Sequence, residues 1–82
     1  MAVVRFLLFN YPDNIAEVPF TFVPGMTVRE VAETCAKMDG VTAPAEGMLE
    51  AGCMVDGRYV ANDHIFTGSE NAVDFMNQIG DG

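Results

Sequence analysis

Pro24-Gly25-Met26-Thr27-Val28-Arg29-Glu30-Val31-Ala32-Glu33-Thr34-Cys35-Ala36-Lys37-Met38-Asp39-Gly40 is the stretch that decides the fold, because it holds one complete helix signal. Pro24-Gly25 breaks whatever precedes it. Thr27 and Glu30 then have capping-box spacing, in which the Thr27 hydroxyl accepts from the Glu30 amide while the Glu30 carboxylate reaches back to the Thr27 amide. Val28, Val31, Ala32, Cys35 and Met38 recur at helical spacing and make one apolar face. Gly40 suits a left-handed C-cap, so the helix is predicted over about residues 28 to 39.

Before this helix the pattern changes to a period of two. Between Ala2 and Phe9, Val4, Phe6 and Leu8 fall on one face and Val3, Arg5, Leu7 and Phe9 on the other. Arg5 marks the second face as the outer one. Tyr11-Pro12-Asp13-Asn14 supplies turn residues, and Val18, Phe20 and Phe22 alternate with Pro19, Thr21 and Val23 in a second strand. Two strands so close in sequence predict an antiparallel hairpin.

After the helix, Val41 to Gly47 carries Pro44 and Gly47 among small residues and reads as a loop, and Met48 to Ala51 is ambiguous. Cys53-Met54-Val55, the tight-turn pair Asp56-Gly57, and Arg58-Tyr59-Val60 predict a second hairpin. Asn62-Asp63 and Thr67-Gly68-Ser69-Glu70 turn the chain again, and Ala72 to Met76 is a final strand. A hairpin, one main helix, short strands and a last strand with no crossover helix after it give an α+β class. The arrangement expected is a β-grasp (ubiquitin-like) fold, with a mixed sheet of about four to five strands packed on that helix.

With 82 residues the chain has room for a single domain, residues 1–82. A chain this short buries only about 60% of the surface its unfolded form exposes. Twelve acidic side chains against four basic ones give a formal net charge of −8. Such a surface repels phosphate backbones and anionic lipid, which excludes nucleic-acid and membrane partners and favours proteins with basic docking faces. The apolar opening is interrupted by Arg5, has no small-residue cleavage site after it and is too short to span a bilayer, so a cytoplasmic protein is expected.

Cys35 and Cys53 form no CxxC pair, and His64 is the only histidine. Metal sites need three or four ligands and an iron–sulfur ferredoxin needs four cysteines, so no metal is expected. Spacing leaves a disulfide open, with reduced core thiols the favoured reading. No motif places a nucleophile beside His64, so no catalytic residue is assigned.

Three segments in order, Pro24 to Val31, Met54 to Val60 and Gly68 to Met76, resemble the MoaD/ThiS family of small sulfur carriers. That family includes the molybdopterin-synthase small subunit and the thiamine-biosynthesis carrier. The resemblance covers nearly the whole chain. It implies a carrier with no catalysis of its own and no bound cofactor. An adenylyltransferase-type partner spends ATP to activate the carrier's C-terminal carboxylate, which becomes a thiocarboxylate and donates sulfur to an acceptor enzyme. On this sequence the sulfur-carrying group is the Gly82 carboxylate. Ile79, Gly80 and Asp81 form the flexible tail inserted in the partner, with Gly82 at its end. Leu7, Phe9 and Met76 are the expected partner-binding residues on the outer sheet face.

Glycines suit such a tail because they lie extended in a narrow channel and tolerate positive φ. Asp81 departs from the family's Gly-Gly ending and adds a Cβ and a negative charge near the ATP phosphates. Two unit charges about 5 Å apart repel by roughly 3 kcal/mol at an effective dielectric of about 20. Uncompensated, that slows activation by about a hundredfold. Two readings follow. Either a dedicated partner meets Asp81 with an Arg or Lys, or the domain is a ubiquitin-like accessory or regulatory subunit that has lost the carrier chemistry.

Overall fold

In the computed structural model, which describes residues 2–8 and 10–76, strand β1 spans Val3–Leu7, with Val4 and Phe6 buried and Arg5 and Leu7 exposed. The expected alternation therefore holds. Strand β2, Glu17–Pro19, pairs antiparallel with β1, Val4 opposite Val18. The predicted second strand is longer than the observed one. The Phe20 amide still donates to the Ala2 carbonyl, and beyond it the chain leaves β1, yet Phe22 stays buried and stacks on Phe66 with ring centroids 5.1 Å apart. The Gly25 amide donates to the Phe66 carbonyl and the Phe66 amide to the Met26 carbonyl. These bonds divert the strand end toward the start of the helix.

Helix α1 spans Val28–Cys35, shorter than the predicted 28 to 39. Its start is as read: the Glu30 amide donates to Thr27 Oγ1 at 3.3 Å and the Thr27 amide donates to Glu30 Oε1 at 3.0 Å. Its end is set by tightening turns. The Lys37 amide reaches the Thr34 carbonyl and the Met38 amide reaches that of Cys35, three residues back in each case. Met38 still packs against the core, but from beyond the helix. Gly40 takes φ +86 in the following turn and is not the α1 cap.

A second helix, α2, spans Ala45–Ala51 and corrects the reading of residues 41 to 47 as loop throughout and of one main helix. Ala45, Met48, Leu49 and Ala51 face the core, with Met48 fully buried. Gly47 permits this packing, because a Cβ there would lie 2.6 Å from the Tyr11 hydroxyl. Asn14 pins the link between the helices, its Oδ1 accepting from the amides of Thr42 and Ala43 at 2.7 and 2.9 Å.

Strands β3 (Cys53–Val55) and β4 (Arg58–Val60) form the expected hairpin. Asp56 at φ 48 and Gly57 at φ +87 give it the turn with two left-handed residues that matches strand twist. Strand β5, Ala72–Met76, lies parallel to β1 and antiparallel to β3 in a mixed sheet of order β2-β1-β5-β3-β4. Both helices cover one face of it. Val28, Val31, Ala32 and Cys35 of α1 and Met48 of α2 meet Val4, Phe6, Val73 and Phe75 in one core. Among the described residues no helix is long and apolar enough to cross a membrane.

Gly68 and Gly25 separate two effects of a left-handed glycine. Both have positive φ, but a Cβ at Gly68 would sit 2.8 Å from the Pro24 ring, whereas one at Gly25 meets nothing within 4 Å. Gly25→Ala is expected to lose about 1–2 kcal/mol from backbone strain. Gly68→Ala adds overpacking and should lose about 2–5 kcal/mol in all. Urea unfolding measures both, and equal losses would contradict the contact with Pro24.

Candidate functional site: the open sheet face and the end of β5

Both helices pack on one face of the sheet, and among the described residues no element packs on the other. Cα register lays a row of side chains straight across it: Glu17 of β2, Arg5 of β1, Asp74 of β5, Met54 of β3 and Tyr59 of β4. Val3 and Ala72 form the next row on one side, and Leu7 and Met76 the next on the other. Arg5 grips Asp74 with both prongs of its guanidinium, Nε to Oδ1 at 2.6 Å and an Nη to Oδ2 at 3.2 Å. The hydrogen bond to Asp74, and then its charge, push the Arg5 pKa further up. The pair is flanked by Glu17 at the β2 edge and by the apolar side chains of Val3, Leu7, Met54, Met76 and the Tyr59 ring. Leu7 is 50% exposed and Tyr59 62% exposed, while Met54 and Met76 are half-buried. A face of this make-up suits a protein partner, with apolar area for affinity and one fixed ion pair for orientation.

Strand β5 has neighbours on both sides, β1 and β3, and the Met76 amide donates to the Gly52 carbonyl. Its start is fixed as firmly. Asp56 Oδ1 accepts from the amides of Asn71 and Ala72, both at 3.0 Å, and the Asp56 amide donates to the Ala72 carbonyl. The preceding turn closes on Glu70, whose carboxylate accepts from the amides of Thr67 and Gly68, both at 2.9 Å, and from the Thr67 hydroxyl. Burial works to raise the Glu70 pKa, but the Thr67, Glu70 and Gly68 amides and the Thr67 hydroxyl outweigh it and hold the carboxyl below its ordinary value.

Of the expected partner-binding residues, the structure sets Leu7 and Met76 directly opposite one another on the open face. Phe9 and the tail residues Ile79, Gly80, Asp81 and Gly82 lie outside the described residues. Val3 and Arg5 stand on this face as the alternation of β1 predicts, whereas Met54, Tyr59 and the pairing of Arg5 with Asp74 were not read from the sequence. The alternation of β5 carried the signal for Asp74, which shares a face with Met76. Met54 and Tyr59 join that face only through the strand order.

Cys35 and Cys53 are free thiols in the core, so the disulfide left open by spacing is not formed. Burial pushes both up to about 12, with the Asp74 charge adding to the effect at Cys53. They stay protonated at neutral pH and are unsuited to nucleophilic work. His64 packs edge-on against Phe66, and its carbonyl accepts from the Val28 amide. It serves the α1 junction. Among the described residues no three His, Cys, Asp or Glu side chains gather to hold a metal. No family model, curated protein or solved structure matches the chain.

Two expected outcomes follow from this geometry. Because the folded Glu70 pKa is lowered, its contribution to stability is present above the ordinary value of 4.5 and is lost as pH falls through and below it. Glu70→Gln should therefore flatten the acid side of the stability–pH curve between about pH 5 and pH 3, measured by urea midpoints; an unchanged acid slope would contradict this role. Neither cysteine should react with iodoacetamide at pH 8 in the native protein, and both should react in denaturant, as read by mass.

Proposed function

We propose that the chain is a small sulfur-carrier protein of the MoaD/ThiS type on a β-grasp fold, acting in the cytoplasm with partner enzymes. One observation carries most of the support. The final strand is central in the sheet, bonded on both sides, and leads into Ile79-Gly80-Asp81-Gly82 from beside the open face that holds Leu7 and Met76. A carrier needs this combination: a docking face, and next to it a chain segment anchored at its base and able to reach a second protein's active site.

In this reading the Gly82 carboxylate attacks the α-phosphorus of ATP in an adenylyltransferase-type partner, releasing pyrophosphate and forming an acyl-adenylate. A sulfur nucleophile supplied by the activating system displaces AMP to give the thiocarboxylate, and an acceptor enzyme takes the sulfur into a molybdopterin- or thiamine-type product. The carrier's own share is to dock and to present. The buried thiols Cys35 and Cys53 take no part. Asp81 requires a cationic side chain in the partner's channel, which would make activation partner-specific.

The test combines the protein with its activating enzyme, ATP and a sulfur donor and weighs the intact chain. Replacement of one oxygen by sulfur, located at Gly82 by fragmentation, is the expected result, and the same spectrum reports whether Gly82 is the terminal residue. Asp81 favours one competing reading, the accessory subunit. An unchanged mass together with a stable complex would overturn the carrier in its favour. A second expected outcome concerns docking. Leu7→Arg should alter stability by less than about 0.5 kcal/mol, since Leu7 is on the surface. It should slow activation about tenfold or more by placing an unpaired charge in the interface. Unchanged activation kinetics would remove Leu7 from the docking face.

A further inference from the structure

A second surface lies at the opposite edge of the fold. β2 is the outermost strand, and its side toward solvent carries backbone groups that pair with nothing among the described residues. Their identity follows from the register. The Phe6 amide donates to the Ala16 carbonyl and the Phe20 amide to the Ala2 carbonyl, so residues 16, 18 and 20 point their backbone groups at β1. Glu17, Pro19 and Thr21 therefore point theirs outward. The edge offers the amides and carbonyls of Glu17 and Thr21 and the carbonyl of Pro19. Pro19 has no N–H to offer.

Against this edge runs an open groove of about 350 Å³ lined by Pro19, Phe20 and Thr21 on the strand side, Thr34 and Met38 on the helix side, and Met26. Its lining carries no charged side chain, and two of the six residues are methionines, whose unbranched thioethers adapt to varied apolar shapes. A groove of this size and openness suits an apolar side chain better than an enclosed small molecule. Strand edge and groove together are the two parts of recognition by strand addition. Backbone bonds hold an extended segment, and alternate side chains enter a pocket beside it.

We propose that the β2 edge and the groove beside α1 bind an extended segment of another protein, apolar at its centre and flanked by Lys or Arg. The flanks are set by charge. Glu17 stands at one end of the edge, Glu30 is one helical turn before Thr34, and Glu33 and Asp39 are close in sequence; Arg29 and Lys37 offset them only in part, within a chain of net charge −8. A second copy of this chain is the poorer occupant, since two such acidic molecules repel and the missing Pro19 amide blunts edge-to-edge pairing. The groove lies on the helix side of β2 and meets the open sheet face only along the edge at Glu17 and Pro19, and the proposal stands whether or not Gly82 carries sulfur.

The test follows backbone amide signals of the intact protein during titration with a short capped peptide having a Val-Ile-Val-Val centre and lysines at both ends. Signals of residues 17 to 22, Thr34 and Met38 should move. A peptide with Glu in place of each Lys should bind at least about tenfold more weakly, and added salt should weaken the Lys peptide. Thr34→Trp, which fills the groove from an exposed helix position, should weaken binding by about tenfold. Thr21→Pro removes one outward N–H and should weaken it about fivefold. Should that variant misfold, Thr34→Trp and the Glu peptide still decide. No movement at those residues, movement on the Val3, Leu7 and Tyr59 face instead, equal binding of the Glu peptide, or concentration-dependent dimerisation through β2 would each overturn the proposal.

Discussion

The fold depends on the parallel pairing of β1 with β5. Val3 to Leu7 meet Ala72 to Met76 residue for residue, joining segments 69 positions apart. Closing so long a loop costs on the order of 4 kcal/mol in chain entropy. The inner side of the pair offsets it. Val4, Phe6, Val73 and Phe75 are buried there, Phe6 and Phe75 with ring centroids 6.2 Å apart, and each large apolar side chain so placed contributes about 1.5–3 kcal/mol. Parallel strands also require everything between them to cross over. The β1–β2 hairpin, α1, α2 and the β3–β4 hairpin therefore have to be accommodated around this one register.

The same pairing organises both surfaces. On the side away from the helices it brings Arg5 to Asp74 and Leu7 to Met76, which creates the open face. On the flank it leaves β2 outermost, with the outward groups of Glu17, Pro19 and Thr21 beside a methionine-lined groove. One face abuts the end of β5, where residues 77 to 82 continue. The other lies beyond the Val3 end of β1, next to Thr34 and Met38. Two partners could thus engage different parts of the molecule. The net negative charge of the chain favours basic partners on both.

Much of this was legible in the sequence where a local rule acts alone. The Thr27–Glu30 capping box, the Asp56-Gly57 turn, the inward Val4 and Phe6 and the outward Arg5 each follow from near neighbours. What was not legible depends on tertiary contact. Pro44 and Gly47 argue against a helix locally, yet Met48 enters the core and Gly47, having no Cβ, leaves room for the Tyr11 hydroxyl, so α2 forms. α1 ends at Cys35 because Lys37 and Met38 close tighter turns. Phe22 leaves β1 to reach Phe66, which shortens β2. In the candidate site, Leu7 and Met76 followed from alternation within single strands. Met54 and Tyr59 needed the order β5-β3-β4, and the groove needed α1 to be placed beside β2.

If the β1–β5 register is the element on which the rest is built, its amides should open only when the whole molecule does. Native-state hydrogen exchange across β1 and β5 measures this directly. The opening free energies of the Arg5, Val73 and Phe75 amides, which face across the β1–β5 seam, are expected to match the global unfolding free energy from urea, with β2 and β4 amides lower. β5 amides that exchange through a local opening well below the global value, while β3 and β4 stay protected, would contradict the account.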